Sequence, residues 1–142
     1  MIDDLFSGKW VGEYRYSNDH AGMEQKAPVR FEIEMTIDAG VLKGVCVDEE
    51  TKGHFEKPTH IEGTLEGNNI IFRKKYPFFW DHDDKNNPRF IPKLPPREVQ
   101  YKGHFDNGKF TGEWTVSSVF TDETEEVFEY RNTGTWSMQK VS

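Results

Sequence analysis

The stretch YKGHFDNGKFTGEW, Tyr101–Trp114, holds one five-residue unit twice, at Tyr101–Phe105 and at Phe110–Trp114. Each copy sets a glycine between two large apolar residues, with one spacer on either side. Period two around the glycine is a strand signature and not a helical one. Between the copies stands Asp106-Asn107-Gly108, whose Asn and Gly accept the positive φ that tight hairpins require. The stretch therefore reads as two antiparallel strands joined by a short turn.

The unit recurs at Trp10–Tyr14, Leu42–Cys46 and Ile61–Leu65, with a partial copy at Gly134–Trp136. Its spacing is irregular, which excludes a solenoid repeat. Eight strands are expected, at Gly8–Ser17, Val29–Asp38, Val41–Glu49, Thr59–Glu66, Asn69–Tyr76, Glu98–Phe105, Lys109–Phe120 and Val127–Lys140. Ala39-Gly40 and Gly67-Asn68 mark two further tight turns. Phe31, Ile33, Met35 and Ile37 share one face of their strand, while Arg30, Glu32, Glu34 and Thr36 share the other. One apolar and one wet face is the pattern of an antiparallel sheet wrapped round a core. The expected fold is all-β: a single antiparallel up-and-down eight-stranded β-barrel over residues 1–142. Little or no helix is expected beyond a turn around Ile2–Phe6. A long proline-rich loop is expected at 77–97.

The recurrent glycines fall on the apolar parity, hence inside the barrel. A strand passing close beneath a neighbour's ring has no room there for a Cβ. Small and large inward residues alternating also fit the taper of a small barrel.

Bulk properties narrow the function. The 142 residues suit one domain with one core. Aromatics reach 14% against a mean hydropathy of -0.81, so a few large rings are expected to fill that core. The net charge of -7 argues against nucleic acid or an anionic membrane as a partner. Cys46 is the sole cysteine and forms no internal disulfide, which fits a reducing compartment. The segment MIDDLFSGKW has neither a basic n-region nor an apolar h-region, and no apolar run approaches the roughly 20 residues that span a bilayer. The expectation is a cytoplasmic protein.

With GKWVGEY, LKGVCVD, IEGTLEGNNIIFRKKY and YKGHFDNGKFTGEW in view, the chain resembles calycin-type barrels, the group of lipocalins, fatty-acid-binding proteins and avidins. Gly8-Lys9-Trp10 resembles their opening G-x-W segment. The chain is more similar still to a small, largely uncharacterised domain family with W-x-G-x-Y, G-x-x-x-D, K-x-Y, Y-x-G-x-F and G-x-W elements. These fall at Trp10–Tyr14, Gly44–Asp48, Lys74–Tyr76, Tyr101–Phe105 and Gly112–Trp114. The resemblance implies a small β-barrel fold, and fold alone licenses no activity. Asn18–Pro28 is too short and polar for the helical lid of fatty-acid-binding proteins. The polar ligand contacts of avidins find no matching positions, so biotin is not carried over.

Strand parity turns Tyr14, Asp48, Lys74, Tyr76 and Tyr101 inward among Trp10, Phe72, Trp114 and Trp136. Buried charges are costly unless paired, and Asp48 and Lys74 can satisfy each other. Two readings follow: a structural polar cluster, or a pocket with an aromatic wall and polar anchors. Val41, Val45 and Val47 favour the opposite parity for the third strand, which leaves the orientation of Asp48 open. The loop from Pro77 to Arg97 carries Phe78, Phe79, Trp80, Phe90, Ile91 and Leu94, and is expected to cap the barrel mouth more than to dock a partner. Asp81, His82, Asp83 and Asp84 resemble a calcium loop poorly, since positions six and twelve are Asn86 and Pro92. No metal and no cofactor is expected. His60 and His104 fall on the outer face. No nucleotide-cradling loop and no nucleophile elbow is present.

These observations favour a binding protein over an enzyme. The leading expectation is a small apolar or amphipathic molecule held in the lumen by Trp10, Tyr14, Asp48, Phe72, Lys74, Tyr76, Tyr101, Trp114 and Trp136. The alternative is a protein-interaction module with a fully packed core, using its surface or the 77–97 loop. A homodimer stays open.

Overall fold

The computed structural model describes residues 3–16, 27–52, 58–76, 79–82, 88–91, 98–121 and 127–141, with side chains described outside 79–82, 88–91, 117–121 and 127–132. Ten strands follow in order: β1 (Gly8–Tyr16), β2 (Val29–Asp38), β3 (Val41–Asp48), β4 (Thr59–Glu66), β5 (Asn69–Lys75), β6 (Phe79–His82), β7 (Pro88–Ile91), β8 (Glu98–Asp106), β9 (Lys109–Thr121) and β10 (Val127–Lys140). Eight of them close a barrel in the order β1-β10-β9-β8-β5-β4-β3-β2, every neighbouring pair antiparallel. This is the expected up-and-down barrel, closed by the pairing of β1 with β10. Among the described residues there is no helix; the turn at Asp4–Phe6 is a single hydrogen-bonded one, closed by the Ser7 N–H donating to the Asp3 carbonyl at 2.9 Å.

Two strands were not expected. β6 and β7 form a separate hairpin inside the proline-rich segment, pairing Trp80 with Phe90 and Asp81 with Arg89. Pro88 stands first in its strand, the position where a missing N–H is tolerated. Four-residue strands broken by prolines leave too short an alternation to read in sequence. Asp83 and Asp84 of the acidic turn lie outside the described residues.

The barrel has two unlike ends. The tight turns β2–β3, β4–β5 and β8–β9 lie at one; Ala39 and Gly40 have φ of 51° and 81°, and Asn107 and Gly108 of 52° and 83°, as a right-twisted hairpin requires. The longer connections β1–β2, β3–β4 and β5–β8 leave from the other, together with that of β9–β10. The first is called the hairpin end here and the second the loop end. The hairpin end is plugged by the N-terminal turn. Asp3 Oδ1 accepts from the N–H groups of Leu5 and Phe6, and the Asp3 N–H donates to the Ile37 carbonyl at 2.7 Å. Phe6 is thereby seated against Phe105 and Phe110, at centroid distances of 5.0 and 5.5 Å. Trp10 packs on Phe110 at 5.2 Å and donates its indole N–H to the Phe6 carbonyl at 2.9 Å.

Two of the inward glycines, Gly103 and Gly134, are explained by tryptophans. Trp136 on β10 faces Gly112 on β9 and reaches Gly103 on β8, where a Cβ would stand 2.5 Å from its ring. Its indole N–H is shared by the carbonyls of Lys102 and Glu113, both at 3.1 Å. Trp114 on β9 repeats the device across Gly134, where a Cβ would lie 2.5 Å from the indole nitrogen, and donates to the Arg15 carbonyl on β1 at 3.1 Å. Each ring needs the volume of a missing side chain to cross its neighbour strand and satisfy its own buried N–H.

Candidate functional site

The five buried polar or charged residues among those described are Asp48, Glu50, Thr51, Thr59 and Lys74, and all belong to the loop end. β3 brings Leu42, Cys46 and Asp48 inward and turns Val41 and Val47 out, so the open parity of this strand falls to the Asp48-inward side. The turn after β3 then adds Glu50 and Thr51. The Asp48 carboxylate organises that turn, Oδ1 accepting from the Thr51 N–H at 2.8 Å and the Thr51 hydroxyl at 2.9 Å. Oδ2 accepts from Lys74 at 3.2 Å and from the Tyr76 hydroxyl at 2.9 Å. The Lys74 ammonium is also framed by three rings, with Tyr14 and Tyr76 centroids at 4.9 Å and Tyr101 at 5.3 Å. A desolvated cation over a ring gains on the order of 2 kcal/mol, which offsets part of the cost of burying it.

A second focus lies beside the first. Tyr14 and Tyr16 both donate their hydroxyls to Glu50 Oε1, at 2.5 Å each, the short range of charge-assisted O–H···O bonds. Their rings meet Trp114 edge to face, Tyr16 at 5.2 Å and Tyr14 at 6.1 Å. Beneath the cluster, Tyr101 stacks on Phe72 at 4.7 Å, and Trp136 meets both edge on.

Burial pushes the phenols of Tyr14 and Tyr76 well above the ordinary tyrosine value and that of Tyr101 up to about 12. It also pushes the Cys46 thiol up to about 12. Burial opposes the Lys74 ammonium, but Tyr101, Tyr76 and Asp48 around it prevail, and its pKa stands above the ordinary lysine value. Near neutral pH these groups are thus a charged lysine, neutral phenols and an inert thiol. A thiol of that pKa is a small buried apolar group, not a nucleophile.

Of the nine residues singled out in sequence, Tyr14, Asp48, Lys74, Tyr76, Tyr101 and Trp114 are brought together at the loop end. Phe72 and Trp136 form the floor below, and Trp10 lies farther down, in the aromatic packing of the plug. Sequence reading missed Glu50, Thr51 and Tyr16. Tyr16 continues the inward parity of Trp10, Gly12 and Tyr14 within β1 and could have been read from it, whereas Glu50 and Thr51 lie in the turn after β3, beyond the strand's alternation. The side chains of Phe79 and Trp80 lie outside those described. Two clefts, of about 420 and 290 Å³, lie on the outer wall; one is lined by Val11, Glu13, Arg30 and Lys109, the other by Lys43, His60, Glu62 and Lys75. Neither lining includes a member of the cluster. Among the described residues no group of histidine, cysteine and carboxylates is arranged to hold a metal.

No family model matches the chain, and no curated protein matches it. Among solved structures it is similar to rhizavidin, at 10% identity and a TM-score of 0.42, over 93% of this chain and 84% of that one. At that distance the likeness carries no weight for ligand or assembly. The class rests on the strand pairing: a closed eight-stranded antiparallel barrel, with a tyrosine-rich charged cluster at one end.

Proposed function

We propose that the protein binds a small apolar or amphipathic molecule at the loop end of its barrel. The observation that carries this is the segregation of the interior. Every buried polar or charged residue described lies at the loop end, while the hairpin end is sealed with Phe6, Trp10, Phe105 and Phe110. A core selected for stability alone gains little from a buried ion pair, because apolar residues of the same volume do as well or better. Polar anchors set in an aromatic wall are the usual make-up of a ligand site. In this reading Tyr14, Tyr76, Tyr101 and Trp114 are the contact wall. Asp48 and Lys74 hold that wall in place, and Phe72 and Trp136 support it. Native mass spectrometry of the full chain against a library of small hydrophobes tests the proposal. It expects adducts that are lost when Trp114 is changed to Ala in a variant that still folds. Absence of any adduct, or adducts indifferent to Trp114, contradicts it.

A second reading is a packed-core interaction module, and it draws on the outer wall. Val41, Ile71 and Val47 are 48, 42 and 37% exposed there. Retention of a partner that is lost on Val41→Lys/Val47→Lys, with no small-molecule adduct, favours that reading instead.

A further inference from the structure

The outer wall of β3 and β4 carries an apolar ridge with unlike charge on its two sides. Val41 and Val47 are exposed on β3, with Val45 half-buried between them. On the β2 side Glu34 stands directly across from Val45 and Glu32 across from Val47. Neither carboxylate makes an ion pair among the described residues. On the β4 side Glu62 holds Arg73 and Lys75 of β5, each at 3.0 Å, and Lys75 reaches on to Glu98 at 3.5 Å. Lys43, across from Glu62 on β3, makes no ion pair of its own. A cleft of about 290 Å³ opens here, lined in part by Lys43, His60, Glu62 and Lys75.

We infer that this wall is where a second copy of the chain docks, about a twofold axis lying between β3 and β4 and parallel to them. The closed barrel offers no free sheet edge, so copies meet face to face and not by strand addition. Such an axis sets β3 of one copy on β4 of the other, and β2 toward β5. The register then brings Lys43 to the partner's Glu62, Val45 to the partner's His60 and Glu34 toward the partner's Lys75. Each contact occurs twice, as an isologous interface requires, and the assembly closes at two copies. An axis across the strands would instead turn the carboxylates of β2 toward the partner's acidic β2, and like charge in an interface is costly. The charge pattern thus selects one orientation. The inference does not depend on binding at the loop end; it gives the outer wall a partner.

Sedimentation velocity on the full chain tests it. The unaltered protein is expected to be dimeric at about 100 μM and to loosen as salt rises toward about 1 M, where exposed ion pairs are screened. Lys43→Glu and Glu62→Lys each set like charges across the axis twice, and each is expected to weaken the dimer at least about tenfold with the far-UV β signal kept. Mixed in equal amounts, the two variants are expected to dimerise with one another, because each new charge then meets its opposite. Glu34→Lys breaks no ion pair of its own chain and is expected to weaken the dimer by about threefold or more. A chain that stays monomeric at about 1 mM overturns the inference. So does a dimer indifferent to Lys43→Glu and Glu34→Lys, or a mixture of the first two variants that associates no better than either alone.

Discussion

The ammonium of Lys74 lies 3.2 Å from Oδ2 of Asp48 inside the barrel, with side-chain exposures of 2 and 1%. The two come from strands that are not neighbours, β3 and β5, with β4 between them. The pair therefore forms only when β3, β4 and β5 assemble with Asp48 and Lys74 on the same, inward face.

Removing one partner leaves the other buried and uncompensated. Lys74→Met is expected to cost about 3–5 kcal/mol in urea unfolding, and Asp48→Ala at least as much, because the aspartate also holds Thr51. The double variant Asp48→Ala/Lys74→Met is expected to lose less than the sum of its single changes by more than about 1 kcal/mol. Additive losses would show that the two groups do not interact in the folded protein.

A methyl group at Gly103 would stand 2.5 Å from the Trp136 ring and 2.8 Å from the Thr111 carbonyl oxygen. Gly103→Ala is expected to destabilise the barrel by about 1–3 kcal/mol and to displace the indole, seen as a shift of the Trp136 N–H resonance. Gly108 has nothing within 4 Å of its added methyl, but its φ of 83° makes alanine strained there as well. Gly108→Asn is the matched control, expected to be milder and to leave Trp136 in place.

Much of this was legible in advance, and the reason is the pleat. Alternation in β2 and β5 fixes which face is inside, and the turn residues at 39–40, 67–68 and 107–108 fix antiparallel neighbours, so eight barrel strands follow from local chemistry. Glycine beside a ring marked where Trp114 and Trp136 cross. The β3 parity was not legible, because Val41, Val45 and Val47 signal burial yet line the outer wall. The Glu50 focus was hidden for another reason: it lies in a turn after β3, where periodicity stops, and its partners Tyr14 and Tyr16 are more than thirty residues away in sequence.

Alkaline pH is expected to unfold the protein cooperatively. The phenols of Tyr14, Tyr76 and Tyr101 have folded pKa values above the ordinary 10, as burial disfavours the phenolate. Their protonated forms are the ones the fold keeps, so their contribution is complete below about pH 10 and is lost as pH rises toward 12 and beyond. Cys46, raised from 9 to about 12, acts in the same direction from pH 9 upward. Tyrosinate absorbance at 295 nm should therefore rise in step with loss of the far-UV β signal. Ionisation of all five tyrosines near pH 10 with the fold intact would contradict the burial of these phenols.

The Cys46 thiol should be silent toward alkylation at pH 8 in the folded protein and react on addition of denaturant. Rapid labelling of the native chain by iodoacetamide, followed by intact mass, would mean that β3 presents its other face.

The most direct test of the loop end as the place of binding is an indole ¹H–¹⁵N spectrum recorded through a small-molecule screen. Trp114 sits at the cluster and Trp10 at the sealed end, so the two report on opposite ends of one barrel. Compounds that shift Trp114 while Trp10 stays still are the result the account predicts. Shifts confined to Trp10, or a complete screen that leaves Trp114 unmoved, would contradict it.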